Sequence, residues 1–311
     1  MTSAAAAVLA GRVALVTGAT NGIGAALAQR LAREGARVLA GCRSPARFET
    51  LRRAVAAAEG AAVAARLEPA LADLELAAAV DALSARLLSE GIRLDVLFLN
   101  AGIHDVRHQL TADGTERTYA ANYLGHFRLL HRLALGGALA PDARVVATQS
   151  ESVHANPFSR ADLDVLARPA ATPLRRLIWR AVASPNTKVL LALAALEYGR
   201  RVEGSALAGA RFVAASPGPV RTGNVDQPGL AMKLVRLLGP LVLGPAEGAA
   251  ELLLWVATAP EAGRASGLVF DRKRRLVRLR RTARDPALAR RAWDATERAL
   301  ALPPFAPARV R

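Results

Sequence analysis

Three glycines within seven residues separate a strand-like segment from a helical one near the start of the chain. Ala14-Leu15-Val16-Thr17 has the apolar pattern of a buried strand, and an alanine-rich helical pattern begins at Ala25. Glycine lets the backbone approach a pyrophosphate, and the N-terminus of the next helix offers unpaired N–H groups and a positive dipole to that anion. Glycine also serves ordinary tight turns, so the flanking strand and helix give the pattern its weight. The pattern predicts a dinucleotide site at Gly18, Asn21, Gly22, Ile23 and Gly24.

The rest of the chain continues this alternation of strand and helix. Apolar runs rich in valine and leucine alternate with Ala/Leu/Arg stretches of helical period, as in a parallel sheet covered by helices on both faces. The sequence therefore predicts an α/β fold with a Rossmann-type, doubly wound parallel sheet, in a single domain spanning residues 1–311. Strands are predicted at Val13–Thr17, Arg37–Gly41, Ala62–Leu67, Asp95–Asn100, Arg144–Thr148, Arg211–Ser216 and Leu268–Asp271. Helices are predicted at Ile23–Glu34, Pro45–Glu59, Leu74–Glu90, Thr115–Leu135, Pro185–Arg200, Ala246–Ala259 and Pro286–Leu300.

Two segments interrupt the alternation, 151–183 and 223–245. Both are predicted to lie over the substrate crevice, the first as an insertion and the second as a lid. The second segment is apolar, with Leu230, Met232 and Leu234 among its residues, so a helix on a membrane surface is the alternative. Its glycines and central Pro240 favour the lid, because proline interrupts a helix.

Composition limits the compartment and the partners. Cys42 is the single cysteine, which excludes an internal disulfide and any multi-thiolate metal site and favours a cytoplasmic location. No run of about 18 residues lacks both charge and proline, so no transmembrane segment is predicted. The formal net charge is +16, and seven of the ten residues in 272–281 are Lys or Arg. No aromatic side chains interleave this basic segment, so it is interpreted as a solvated surface and no nucleic-acid binding is expected.

Further motifs follow the glycine loop in order along the chain. Leu99-Asn100-Ala101-Gly102 closes a predicted strand, Asn122 stands in Ala121-Asn122-Tyr123-Leu124-Gly125, and Ser150 lies just past another strand. As a set, these motifs resemble the short-chain dehydrogenase/reductase (SDR) family, in its retinol-dehydrogenase-like branch. The resemblance implies an oxidoreductase in which Asn122 and Ser150 are catalytic. It also implies nucleotide contacts from Asn100, Ala101, Gly102, Pro217, Gly218, Val220 and Thr222.

The end of the second predicted strand bears on which nucleotide binds. A carboxylate there would hydrogen-bond the ribose of NAD, whereas a guanidinium would pair with the 2′-phosphate of NADP. This stretch contains Arg43 and no acid, which favours NADP(H), the alternative being that Arg43 is an ordinary loop arginine. Ala70 stands where the resemblance implies an aspartate that contacts adenine. That contact is therefore expected from the backbone of Leu71.

The resemblance also implies a Tyr-x-x-x-Lys pair, in which the lysine binds the nicotinamide ribose, but the pair is incomplete here. Lys188 is present, and Ser184 stands one helical turn before it on the same face. Lowering the pKa of a phenol from ~10 to about 7 requires roughly 4 kcal/mol, whereas an aliphatic hydroxyl near ~15.7 would require roughly 12 kcal/mol. Serine followed by Pro185 is a common helix opening, so the helix is predicted to begin here.

Three functional hypotheses stay open. The first is an NADP(H)-dependent oxidoreductase acting on a bulky hydrophobic carbonyl or alcohol, in which water or a histidine, His104 or His154, replaces the phenol. The second is a non-redox enzyme that retains the nucleotide and carries out elimination, isomerisation or ring closure. The third is a catalytically silent nucleotide-binding protein. A hydrophobic small molecule is the favoured partner, and the resemblance implies a possible homodimer.

Overall fold

One parallel sheet of seven strands forms the centre of the molecule. The computed structural model describes residues 9–103, 109–150, 173–220 and 244–309, with side chains from residue 183 onward in the third range. The order across the sheet is β3-β2-β1-β4-β5-β6-β7, and every neighbouring pair is parallel, which confirms the predicted doubly wound sheet. The strands are β1 (Val13–Val16), β2 (Arg37–Cys42), β3 (Leu67–Leu71), β4 (Leu94–Leu99), β5 (Leu139–Thr148), β6 (Arg211–Ser216) and β7 (Val269–Asp271).

Helices cover both faces of the sheet. Leu15 and Leu97 belong to one hydrophobic core, and Val16 and Phe98 belong to the other, because successive side chains of a strand point to opposite faces. No helix within the described ranges is long and apolar enough to cross a membrane. The helices are α1 (Gly22–Arg33), α2 (Pro45–Glu59), α3 (Ala61–Ala64), α4 (Ala77–Ser89), α5 (Arg117–Tyr119), α6 (Gly125–Leu135), α7 (Pro173–Arg201), α8 (Ala246–Thr258) and α9 (Pro286–Ala299).

The direction of the strands determines where a ligand can bind. All seven run the same way, so their carboxyl ends lie along one edge of the sheet. The chain builds outward from β1 to β3 and then returns to place β4 on the other side of β1. In open α/β sheets, ligands bind outside the carboxyl ends of the strands at such a switch point.

The third strand lies further along the chain than predicted. β3 is Leu67–Leu71, whereas the prediction was Ala62–Leu67, and the alanine-rich residues Ala61–Ala64 form the short α3 instead. Alanine has the highest intrinsic helix propensity, and this local preference decides the segment. The loop after β3 therefore begins at Ala72, which moves the following acidic residues to the carboxyl edge of the sheet.

The predicted helix start at Ser184-Pro185 is wrong. α7 begins at Pro173 and contains Pro185 in its interior. An interior proline removes a backbone hydrogen bond and costs about 3 kcal/mol. The residues that follow, including Val189, Leu190 and Leu193, are buried in the core, and this packing outweighs the loss. The predicted insertion at 151–183 thus ends in helical residues, while its earlier part and nearly all of the predicted lid at 223–245 lie outside the described residues.

Candidate active site

A cavity of about 380 Å³ opens at the carboxyl edge of the sheet, at the switch point between β1 and β4. Its walls come from the loops after β1, β2, β3 and β4, from the turn before α6 and from α7. The fold therefore brings together segments from both halves of the chain. The sequence-predicted site residues in the lining are Gly18, Asn21, Gly22, Ile23, Gly24, Arg43, Asn100, Ala101, Gly102, Asn122, Ser184 and Lys188.

Two glycines of the first loop leave no room for a side chain. A Cβ on Gly24 would lie 2.1 Å from the Gly18 carbonyl oxygen and 2.7 Å from Asn100 Nδ2. A Cβ on Gly18 would lie 2.9 Å from Ala101 Cα, and the φ angle of Gly18 is 66°, in the left-handed region. α1 begins within this loop, and Asn21 makes no side-chain bond to its first amides. Those amides are available to an anion, so the loop fits a pyrophosphate.

Thr17 connects the glycine loop to the loop after β4. Its Oγ1 accepts hydrogen bonds from the backbone N–H groups of Asn100 at 2.9 Å and Ala101 at 3.0 Å. Asn100 Nδ2 donates to the Thr17 carbonyl oxygen at 3.0 Å, and Asn100 Oδ1 accepts from Thr148 Oγ1 at 3.1 Å. These bonds fix the ends of β1, β4 and β5 to one another on one side of the cavity.

Asn122 lies in a π-helical turn, Ala120–Leu124, between α5 and α6, where a single continuous helix was predicted. Its Oδ1 accepts from the Ile103 N–H at 2.7 Å, and its Nδ2 donates to the Ile103 carbonyl oxygen at 2.9 Å. Turns of this type are rare and occur frequently at functional sites. Both polar ends of the Asn122 side chain are thus used to hold the loop that follows Gly102.

His126 joins this turn to the glycine loop. Its side chain is fully buried, with Nδ1 3.1 Å from the Asn122 carbonyl oxygen and Nε2 2.9 Å from Thr17 Oγ1. A carbonyl oxygen only accepts, so Nδ1 carries the proton, and the single proton of the Thr17 hydroxyl lies within reach of both Nε2 and the Phe98 carbonyl oxygen, 3.1 Å from Oγ1. Burial lowers the pKa of His126 to about 3. The imidazole is therefore neutral, and its two contacts connect the π-helical turn to the end of β1.

Lys188 projects from α7 to the end of β5. Its side chain is buried, and Nζ donates to the Thr148 carbonyl oxygen at 2.6 Å. The Lys188 carbonyl oxygen accepts from Gln149 Nε2 at 2.9 Å, which holds α7 against β5. Burial away from water lowers the pKa of Lys188 to about 8. An ammonium group has three donors, so Lys188 can bind a second acceptor in the cavity.

Tyrosine side chains are absent from this cavity. All three tyrosines, Tyr119, Tyr123 and Tyr198, lie in the described residues, are buried in the core and do not line it. Burial raises the pKa of each phenol. Ser184, which is partly buried, lines the cavity one helical turn before Lys188, as predicted. The position beside Lys188 thus carries a short aliphatic hydroxyl.

Charged side chains lie at the end of the cavity next to β2 and β3. Arg43 follows β2 directly, and its Nη1 lies 3.6 Å from Glu75 Oε1 and 3.9 Å from Asp73 Oδ2. These contacts are long, the Arg43 side chain is 48% exposed, and Arg47 of α2 lines the same wall. Ser44 precedes α2 and makes no side-chain bond to the first amides of that helix. Two guanidinium groups, a hydroxyl and a helix N-terminus together suit a phosphate group.

Several predicted residues lie elsewhere. Leu71 is 45% exposed and is not part of the lining, so the expected adenine contact from its backbone stays a prediction. The acidic side chain near that wall is Asp73, two residues beyond β3. Four predicted residues follow β5 and β6 at the same edge but outside the lining: Ser150, Pro217, Gly218 and Val220. Thr222, His104 and His154 lie outside the described residues.

Four of the polar or charged lining residues that sequence reasoning missed are Arg47, Asp73, Glu75 and Thr148. Asp73 and Glu75 were missed because the third strand was placed too early. Arg47 was recognisable as a cation in the first turn of a helix that was predicted correctly. Thr148 was predicted as the last residue of a strand, and its hydrogen bonds to Lys188 and Asn100 depend on tertiary contacts with no local signal.

A parallel sheet with a glycine-walled, anion-receptive cavity at its switch point defines a dinucleotide-binding protein of Rossmann type. A family model described as short chain dehydrogenase matches residues 12–159. Human retinol dehydrogenase 14 is 32% identical over 303 residues, which cover 92% of this chain and 85% of that protein. Mouse polyprenol dehydrogenase is 33% identical over 288 residues, which cover 91% of this chain and 82% of that protein. The chain therefore belongs to the SDR family, in its retinol-dehydrogenase-like branch, and is an oxidoreductase of a family that uses NAD(P)(H).

Solved structures give the same assignment. A crystal structure of an uncharacterised protein from Mycobacterium paratuberculosis has a TM-score of 0.69 at 26% identity, over 94% of this chain and 95% of that one. A short-chain dehydrogenase/reductase from Serratia marcescens has a TM-score of 0.60 at 27% identity, over 85% of this chain and 97% of that one. The fold and the family thus agree along most of the chain.

Proposed function

We propose that this protein is an NADP(H)-dependent oxidoreductase acting on a bulky hydrophobic alcohol or carbonyl compound, with an atypical active site that lacks the phenol acid/base. One observation carries the proposal: a single cavity joins the glycine loop, Asn122, Lys188 and Ser184. A nicotinamide cofactor, when bound, would donate a hydride to a carbonyl carbon or accept one from an alcohol. The apolar substrate is suggested by the relatives named for retinol and polyprenol.

The selection of NADP(H) rests on the end of the cavity beside β2. A 2′-phosphate would displace Arg43 from its long contacts with Asp73 and Glu75 and would form shorter, charge-assisted bonds. Arg47 and Ser44 would support it from the start of α2. Asp73 would then remain at the wall next to β3, where it could accept a hydrogen bond from the adenine amino group.

The chain's own groups would act on the substrate oxygen as follows. Lys188 would hold a ribose hydroxyl with a donor that Thr148 does not use, and its positive charge would lie beside the reacting centre. Ser150, just past β5, would donate a hydrogen bond to the substrate oxygen. Asn122 would keep the loop after Gly102 in place.

Proton transfer would pass through water in the space that a phenol would fill. Ser184 is too weak an acid to replace a phenol, because an aliphatic hydroxyl near ~15.7 lies roughly 12 kcal/mol from ionisation at neutral pH. Loss of one general acid typically lowers a rate by about 10² to 10⁴. Hydride transfer would therefore be slow but measurable. His154 and His104 are the alternative donors.

The experiment is a hydride-transfer assay. Purified protein is incubated with NADPH carrying deuterium at the transferred position of the nicotinamide, together with retinal, a polyprenal and long-chain aldehydes. Deuterium in the alcohol product, measured by mass spectrometry, supports the proposal. A label that stays in the nucleotide with every compound contradicts it.

A second candidate is a non-redox enzyme that retains the nucleotide, favoured by the serine at position 184. Product formation in the presence of a cofactor analogue that cannot transfer hydride would establish it and would exclude the third possibility, a catalytically silent protein. The buried free thiol of Cys42 suits a cytoplasmic location, which we propose with it. A homodimer is proposed by analogy with the family alone.

A further inference from the structure

The last strand of the sheet continues into a tightly turned basic hairpin, residues 269–281. β7 ends at Asp271, the chain reverses through residues 272–275, and Leu276 returns antiparallel beside Phe270. The Val277 N–H donates to the Val269 carbonyl oxygen at 2.8 Å, and Arg274 takes a φ angle of 59° at the turn. The hairpin thus covers the free edge of β7 and projects at the carboxyl edge of the sheet, the edge on which the cavity opens.

Asp271 holds this hairpin in shape. Its Oδ1 accepts from the backbone N–H groups of Lys273 at 2.8 Å and Arg275 at 2.9 Å, and its Oδ2 accepts from Arg275 Nη2 at 2.8 Å. Arg274 folds back onto α8, where its guanidinium lies 5.5 Å from the centre of the Trp255 ring and 3.8 Å from Glu251. The guanidinium groups of Arg274 and Arg275 therefore already have partners within the fold.

Four further cations of the hairpin are exposed to solvent. Arg272, Lys273, Arg278 and Arg281 are exposed, and no ion pair joins them to any residue in the described ranges. Residues 272–281 hold seven basic side chains and no acid, with Asp271 just before them. The hairpin is a strongly positive surface.

An apolar side chain stands among these cations. Leu276 is 62% exposed, more than any other large hydrophobic side chain in the described ranges. An exposed leucine beside Arg and Lys suits an anionic bilayer, since the apolar group can enter the interface while the cations meet the headgroups. Nucleic acid fits less well, because residues 272–281 contain no aromatic side chain on which a base could stack.

We infer that the basic hairpin docks this protein on an anionic lipid surface, with Leu276 inserted among the headgroups and Arg272 and Lys273 paired with lipid phosphates and carboxylates. Because the cavity opens at the same edge of the sheet, docking would bring it near the bilayer in which an apolar alcohol or aldehyde is dissolved. The purpose of docking rests on the proposed function, but docking itself is measured without turnover.

The test is flotation of the full chain with lipid vesicles. Vesicles of phosphatidylcholine with about 30% phosphatidylserine are compared with phosphatidylcholine alone, at low salt and at about 0.5 M salt. We expect binding to the anionic vesicles only, weakened by salt. Equal binding to both vesicles, or binding to neither, overturns the inference.

Variants locate the binding surface. Arg272→Gln with Lys273→Gln should weaken vesicle binding about 25-fold, at about 5-fold for each cation removed. Arg52→Gln with Arg53→Gln is the matched control, since it removes the same charge from exposed α2, next to β2 and β3 at the opposite end of the sheet. A control variant that loses as much binding as the hairpin variant reduces the effect to net charge and overturns the inference.

Leu276 separates membrane docking from simple charge attraction. Leu276→Ser should weaken binding to anionic vesicles roughly tenfold, and Leu276→Met should retain it. A short single-stranded RNA is titrated in parallel. If RNA binds more tightly than the vesicles and depends on Arg272 and Lys273 while Leu276→Ser has no effect, the hairpin is a nucleic-acid surface and the inference fails.

Discussion

Two walls of the cavity differ in how completely their side chains are held. The nucleotide wall comprises Thr17, the glycine loop at residues 18–24 and Asn100, and the proton-transfer wall comprises Ser184 and Lys188. At the nucleotide wall, the glycine loop, Thr17 and Asn100 form a closed set of contacts between three strands. At the other wall, Lys188 is seated as firmly, but the residue one turn before it is Ser184. Because different elements hold the two walls, the residue beside Lys188 can change without disturbing the contacts of the glycine loop.

The strongest way to break the nucleotide wall is Gly24→Ala. The new Cβ would lie 2.1 Å from the Gly18 carbonyl oxygen, so the loop must shift, at a stability cost of about 1–3 kcal/mol. We expect NADPH binding to be lost in a fluorescence titration, with the fold retained by circular dichroism. Gly248→Ala on α8 is the control, because a Cβ there meets nothing within 4 Å. Normal NADPH binding by Gly24→Ala would contradict the steric account.

Ser184→Tyr should repair the proton-transfer wall. The phenol would project into the cavity one helical turn before the Lys188 ammonium, which favours its ionised form. We expect kcat for carbonyl reduction to rise by roughly 10² to 10⁴, with little change in the dissociation constant for NADPH. Ser184→Phe fills the same space without a hydroxyl and should give no gain. An equal gain in both variants would show that cavity filling, and not acid catalysis, limits the native protein.

Arg43→Gln tests the phosphate end of the nucleotide wall. Loss of a charge-assisted bond of about 2 kcal/mol should weaken NADPH binding by roughly 30-fold and leave NADH binding nearly unchanged. Arg53→Gln, on the exposed face of α2, is the control for net charge. If the affinities for NADPH and NADH fell equally, Arg43 would not be the residue that selects NADP(H).

The smallest expected effect is a pH dependence of nucleotide affinity. Burial lowers the pKa of Lys188 to about 8 from its ordinary 10.5, so the ammonium is present below pH 8 and is lost above it. Nucleotide affinity should therefore fall by up to about tenfold between pH 7 and pH 9. Lys188→Arg keeps its charge, so the variant should show no such fall. A wild-type affinity that is flat to pH 9 would contradict this role for Lys188.

The nucleotide wall was the more predictable part because its signals are local. The glycine loop and the Asn100 motif are each contained in a few consecutive residues, and both line one cavity. The positions of Asp73 and Thr148 depend on where β3 begins and on contacts between strands. Local helix and strand propensities could not predict these two positions, because residues Ala61–Ala64 prefer helix where a strand was expected.

The start of α7, which carries the proton-transfer wall, was also not predictable from the local sequence around Pro185. Its local preference, with serine before it, is to begin a helix, yet α7 continues through it. The buried residues Val189, Leu190 and Leu193 pack into the core and outweigh the proline penalty of about 3 kcal/mol. Tertiary packing therefore decides where α7 begins.

The most direct test of the account is a titration of the purified protein with NADPH and, separately, with NADH, followed by tryptophan fluorescence. We expect NADPH to bind with a dissociation constant on the order of micromolar and NADH to bind at least about tenfold more weakly. Absence of binding by either nucleotide would contradict the central claim, because the cavity would then lack a cofactor despite its intact glycine loop.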